Sequence, residues 1–180
     1  MTRLALFCLA LVSLPSTAAE CHSVDPAAGS VSFELKQAGA AFRGAFRRFG
    51  GEICLADGRV THVEVWLDPA SADTGLPEID AALKNKEFFA VRDHPRIAFA
   101  SLSVETRGDG QRARGTLEIK GKRREMEVPF RLAVGSGRPT VSGSLVLNRL
   151  DYDIGTGEWS NTEWLGAQVK VDFEATLSAR

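Results

Sequence analysis

Few residues in this 180-residue chain are arranged for covalent or metal chemistry. His22, His62 and His94 do not recur at the spacing that puts two imidazoles on one helix face, as in H-E-x-x-H. His62 falls on the polar side of an alternating stretch and reads as solvated, whereas His94 precedes Pro95 and reads as a turn residue. No serine sits in a G-x-S-x-G elbow, the strained turn that exposes a hydrolase nucleophile. Gly155-Thr156-Gly157 is a lone glycine pair without the strand and helix that a phosphate-cradling loop needs. Lys120-Gly121-Lys122-Arg123-Arg124-Glu125 decorates a hairpin tip, where its charge could also steer an anionic head group or lipid surface. The carboxylates alternate with apolar residues and therefore face water. The expectation is a protein that is not an enzyme and holds neither metal nor cofactor.

The cysteines are informative about compartment. Arg3 precedes an apolar run over 4–14, and Pro15 and Ser16-Thr17-Ala18-Ala19 follow. This is the three-part build of a secretory signal peptide, with an apolar stretch too short to span a bilayer. A buried N-terminal helix is the alternative. Cleavage near Ala19 divides the chain into a leader, 1–19, and one mature domain, 20–180, and removes Cys8. Cys21 and Cys54 then remain as a pair in an oxidising compartment. A bridge between them would close a loop of about 33 residues, a constraint of ~3–4 kcal/mol in the chain-entropy picture; two buried thiols are the alternative. The Glu20 that precedes Cys21 is unlike a lipid-attachment site.

The elements carrying these residues are mostly strands. Apolar residues recur with period two at Val31, Phe33 and Leu35; Val63, Val65 and Leu67; Leu117 and Ile119. The pattern continues at Met126, Val128, Phe130, Leu132 and Val134; Val141, Leu145 and Leu147; and Val169, Val171, Phe173, Ala175 and Leu177. Asp57-Gly58, Gly108-Asp109-Gly110, Gly121-Lys122 and Gly135-Ser136-Gly137 supply the turns. Tight turns between regularly spaced strands point to an antiparallel barrel or sandwich and leave no room for βαβ crossovers. The one helical stretch, 77–85, opens on Pro77 with Glu78 and Asp80 in its first turn and sets Ile79, Ala82 and Leu83 on one face. Phe88 and Phe89 should follow it inward. With 44% apolar residues, 25% charged and a net charge of −1, the chain is neither a basic nucleic-acid binder nor a disordered acidic tail. Nothing marks a repeat, linker or second domain. A barrel of about eight strands is either filled by side chains or holds one small ligand, and composition alone favours the filled core.

Several segments together resemble the YceI-like family, secreted bacterial lipocalin-like proteins that bind polyisoprenoids. His22-Ser23-Val24-Asp25 followed by Ser30-Val31-Ser32-Phe33 is a rearranged form of its opening region. Gly44-Ala45-Phe46-Arg47-Arg48-Phe49-Gly50-Gly51 matches G-x-F-x-x-F-x-G, and Leu83-Lys84-Asn85-Lys86-Glu87-Phe88-Phe89 matches the helix exit. His94-Pro95-Arg96-Ile97-Ala98-Phe99-Ala100-Ser101 and Gly115-Thr116-Leu117-Glu118-Ile119-Lys120-Gly121 match two further strands. Asn148-Arg149-Leu150-Asp151-Tyr152-Asp153-Ile154-Gly155 resembles the R-x-d-f-G-i-g segment, with Asp153 where glycine is usual.

The resemblance implies an all-β, extended eight-stranded antiparallel lipocalin-like barrel with one short helix. Its apolar interior would take an isoprenoid tail, which reverses the preference for a filled core. The implied role is a periplasmic carrier of a polyprenyl phosphate or isoprenoid quinone, with transient membrane contact and no nucleic-acid partner. A ligand-free structural or interaction module with a packed barrel is the alternative. Phe33, Phe46, Phe88, Phe99, Leu117, Phe130 and Phe173 lie on inward faces or in matched segments and are the expected pocket lining. No catalytic residue is implied.

Overall fold

The computed structural model describes residues 19–135 and 137–179, so nearly all of the expected leader lies outside the described residues. The strands are β1 (Glu20–Gln37), β2 (Ala40–Phe46), β3 (Phe49–Ala56), β4 (Arg59–Leu67), β5 (Ala72–Asp73), β6 (Ile97–Arg107), β7 (Gly110–Ile119), β8 (Lys122–Ala133), β9 (Thr140–Asn148) and β10 (Gln168–Ser178). A single α-helix, α1 (Pro77–Leu83), interrupts them. All strand pairs are antiparallel, and β1 pairing with β10 closes an eight-stranded barrel.

The eight positions arise because β2 and β3 act as one broken strand. β1 pairs with β2 over Val31–Gln37 and with β3 over Glu20–Ser23. Between these stretches, β1 bulges at Asp25/Gly29 against β10, and its partner breaks at Arg47 and Arg48. The freed upper edge of β2 is covered by the two-residue β5. Bulges of this kind bend strands and let a sheet close.

The barrel's two ends differ. At the lower end, Ile53, Val60, Ala113, Val141 and Leu177 are each 3% exposed or less and form a packed floor. There β4 and β6 separate, since their pairing covers only Glu64–Leu67 with Ile97–Ala100. Side chains replace the ladder: Gln111 accepts from Val60 N–H at 3.0 Å and donates to Val60 C=O at 2.9 Å, and Ser101 Oγ accepts from Val63 N–H at 2.9 Å. β6 bulges beside Ser101, which extrudes Leu102.

The upper end is capped by α1, by the turns carrying Phe88 and Phe89, and by the segment between β9 and β10. Helix α1 ends at Leu83, with Lys84 as its C-cap, rather than running to Asn85. Val134 departs from its expected inward phase: β8 ends at Ala133 and Val134 is exposed in the following turn. No helix is long and apolar enough to cross a membrane among the described residues.

Cys21 and Cys54 face each other across β1 and β3 and are joined by a disulfide. The bridge ties down the N-terminal stretch of β1 where its ladder with β3 is only four residues long. It also consumes both thiolates of the Cys21, Glu52 and Cys54 group, the one cluster with metal-type ligands among the described residues.

Candidate functional site

The inward phase of the strands does not fill the barrel. It surrounds a continuous cavity of about 290 Å³ between floor and cap. A void needs only ~10–15 Å³ on this measure to hold one water, so the space is no packing defect. The filled core favoured by composition is therefore not what the sequence builds.

Three cross-strand pairs show why. Phe33 stands opposite Gly44, and Phe173 opposite Gly143, while Phe99 reaches over Gly115 on the neighbouring strand. In each pair the tip of the ring crowds the position a Cβ would take: Phe33 Cζ over Gly44 is the nearest atom there, while Phe99 at 2.8 Å over Gly115 and Phe173 at 2.6 Å over Gly143 share the space with the still nearer carbonyl oxygens of Ala100 and Pro129. The rings thus lean into notches in the wall instead of projecting across the lumen. Glycine in a strand commonly marks such a close approach, and cross-strand neighbours lie within reach of an aromatic ring.

All seven expected lining residues, Phe33, Phe46, Phe88, Phe99, Leu117, Phe130 and Phe173, stand on the cavity wall. The helix face predicted from spacing, Ile79, Ala82 and Leu83, closes the upper end as part of that wall. Phe33, Phe46 and Phe89 form a chain of ring contacts with centroids 5.5 and 5.9 Å apart, and Phe88 meets Trp159 at 5.5 Å. The last contact joins the turn after α1 to the segment between β9 and β10, so the cap is one packed unit.

Sequence reasoning missed how that cap is held. Arg149 is 3% exposed and has no carboxylate partner among the described residues. Its Nε donates to Gly166 C=O at 3.0 Å, Nη1 to Ile154 and Gly155 at 2.7 and 2.9 Å, and Nη2 to Trp159 and Leu165 at 2.8 and 2.7 Å. Five donors meet five carbonyls, a count that only guanidinium can match. Burial lowers the Arg149 pKa from its ordinary value, yet the group remains charged in proteins. It folds the segment around itself and thereby places Tyr152, Ile154, Trp159 and Leu165 over the lumen. Asp153, where glycine was expected, adopts φ 53°, a left-handed conformation that aspartate tolerates better than most residues.

A clasp outside the cap adds to this. Lys120 takes φ 49° in the β7–β8 turn, and its Nζ donates to Asp153 C=O at 2.7 Å. Lys122 pairs with the Asp153 carboxylate at 3.0 Å. Burial depresses the Lys120 pKa against the opposing pull of Asp153 and Glu87. With Arg124, whose Nη2 reaches Asp151 C=O at 3.5 Å, three members of the basic run are thus fastened to the cap rather than left as a free patch.

The remaining chemical candidates stay apart. His62 Nδ1 lies 3.4 Å from Ser101 Oγ, but that hydroxyl already fills the β4–β6 seam, and the described residues provide His62 with no hydrogen-bonded carboxylate. His94 packs beneath Gly121. What the site offers chemically is an enclosed apolar volume with very few polar groups.

Similarity to known proteins agrees with this geometry. The sequence model of the YceI-like domain matches residues 22–177. A UPF0312 protein of Ectopseudomonas mendocina is 27% identical over 135 residues, covering 69% of this chain and 70% of that protein. BcnA of Burkholderia cenocepacia superposes with TM-score 0.82 at 27% identity, covering 86% of this chain and 99% of that one. A polyisoprenoid-binding domain from Saccharophagus degradans, implicated in plant cell wall breakdown, superposes with TM-score 0.68 at 15% identity, over 88% and 98% of the two chains.

Proposed function

This chain belongs to the YceI-like domain family, and from that premise we propose that it is a binding protein rather than an enzyme, a periplasmic carrier that holds an isoprenoid lipid in its barrel. The observation that carries the reading is the continuous apolar cavity, lined by Phe33, Phe46, Phe88, Phe99, Leu117, Phe130 and Phe173. Enclosed cavities of this character stay dry and take apolar guests. The disulfide suits an oxidising compartment, in keeping with export by a leader cleaved near Ala19.

Energetics favour exchange over permanent capture. Each buried methylene contributes ~0.8 kcal/mol against water, so a forty-carbon tail would represent roughly 30 kcal/mol, beyond the ~18–21 kcal/mol ceiling of non-covalent binding. The competing state is a membrane, where that gain largely cancels. Pocket shape and head-group contacts then decide occupancy, and a carrier loads and unloads by brief membrane contact. Mass spectrometry of an organic extract of the purified mature protein should recover an isoprenoid lipid. Absence of any such lipid, with failure to take up prenyl compounds, would instead support a packed structural or interaction module.

A further inference from the structure

The barrel closes as a circuit of strands, but one of its seams is laddered only near the floor. β8 and β9 pair from Ala133 with Thr140 up to Phe130 with Gly143, and no further. Above that point β8 stays paired to β7 as far as Lys122, and β9 to β10 as far as Asn148. A continued register would set Ser144 against Pro129, Leu145 against Val128, Val146 against Glu127 and Leu147 against Met126. None of these pairs forms, and among the described residues no hydrogen bond or ion pair joins 122–129 to 144–148. Pro129 stands at the first position past the ladder and has no N–H to offer β9. Proline inside a strand belongs where such a bond is not needed. The seam between β4 and β6 also parts, but there Gln111 and Ser101 stitch it together.

The open seam leads into the cavity. Met126 and Val128 on one lip, and Leu145 and Leu147 on the other, are half-buried and line the lumen. Outside them Val146 is 59% exposed, an apolar side chain at the edge where a tail would arrive. The other ways in are obstructed. The floor is tightly packed, and lifting the cap would break the five hydrogen bonds of Arg149. Spreading β8 from β9 above Phe130 breaks no backbone hydrogen bond between them.

We propose that the upper β8–β9 seam is a lateral portal through which an apolar chain slides into the barrel, and that the basic clasp above it is the latch. The clasp spans the top of the seam: Lys120 and Lys122 hold Asp153, and Arg124 reaches Asp151 C=O, both acceptor residues lying just after β9. The Lys122 and Asp153 side chains are about half exposed, so water screens their pairing and the latch is weak enough to open. The inference rests on the carrier reading above and adds to it the route of entry and exit.

A portal sets rates and leaves affinity alone, because the bound state is the same by any path. Trp66 and Trp159 stand on the cavity wall, so stopped-flow tryptophan fluorescence of the delipidated mature protein can follow uptake and release of farnesol. Glu127→Cys with Val146→Cys, joined by a short bis-maleimide, ties the lips together. Val146→Cys with Lys170→Cys, joined likewise, spans the β9–β10 seam, which is already laddered. The first crosslink should slow association and dissociation together by about tenfold or more with Kd unchanged, the second should leave both rates as in wild type, and Lys122→Ala should raise both. Unaltered rates in the first, or equal slowing by the two crosslinks, would overturn the portal, and unaltered rates in Lys122→Ala would overturn the latch. A wild type that takes up no farnesol would overturn the carrier reading itself.

Discussion

At the scale of single residues, the most consequential side chain is Arg149, and its role is mechanical. It is surrounded by the carbonyls of Ile154, Gly155, Trp159, Leu165 and Gly166, so its charge is balanced by oriented dipoles instead of by an acid. Lysine has three donors in place of five. Arg149→Lys should therefore strand at least two carbonyls, each at ~1–3 kcal/mol, and destabilise the protein by about 2–5 kcal/mol in urea unfolding. A loss under about 1 kcal/mol would show that the cap does not depend on this hub. Arginine at this position was visible in the sequence as part of a family-like segment, but nothing in its neighbours announced burial. All five acceptors are backbone atoms, and backbone carbonyls leave no signature in residue types.

Between elements, what matters is how neighbouring strands share space. Gly44 is the cleanest case, since the nearest atoms to a Cβ there are all in the Phe33 ring, at 2.3 to 3.0 Å, and none is backbone. Gly44→Ala should swing that ring into the lumen, cost about 1–3 kcal/mol through strain, and reduce prenyl-lipid uptake by the folded protein. Uptake equal to wild type would mean that the notch does not shape the cavity. This pairing also marks how far the sequence could be read. Period-two alternation made the strands, their inward faces and the wall positions Phe33, Leu117, Phe130 and Phe173 legible, because alternation is a local property of the chain, whereas Phe46, Phe88 and Phe99 were legible through the family-like segments that contain them. The hollow interior was not legible from composition, because volume is settled across strands. Gly44, Gly115 and Gly143 each fall in the inward phase of β2, β7 and β9, and an inward glycine facing an inward phenylalanine is the signal that would have revealed it. The break at Arg47 and Arg48 and the short β5 escaped notice for the same reason: both answer to the bend of β1, which no local pattern encodes. Val134 was misplaced because alternation carries no mark of where pairing stops.

Taken whole, the molecule is a closed barrel with a sealed floor, a braced cap and a charged exterior, and its response to acid follows from that exterior. Asp25 is held below its ordinary pKa of 3.8 chiefly by Arg138, Asp73 by the Gly75 N–H and then Arg47, and Asp172 by Lys170. Each carboxylate is favoured in the folded state, so its contribution is complete above the unfolded value and is lost as pH falls through the lower folded value. All three sit at the protein surface, where water screens their ion pairs, which keeps the effect small. Thermal stability should be flat from neutrality to about pH 5 and decline only below about 4, with Asp25→Asn shallower in that acid limb; a decline centred near pH 6 would instead implicate a histidine.

The central claim is that the interior is a ligand cavity and not a core. Leu117 lies on its wall opposite Phe99, so Leu117→Trp places an indole in the lumen. Native mass spectrometry of the delipidated protein, titrated with a prenyl lipid and read beside its melting temperature, separates the two cases directly. A hollow barrel predicts that wild type takes up one lipid per chain, while Leu117→Trp melts close to wild type and takes up none. An overpacked core would lose about 1–3 kcal/mol, and a variant destabilised to that extent beside a wild type that binds no lipid would contradict the account.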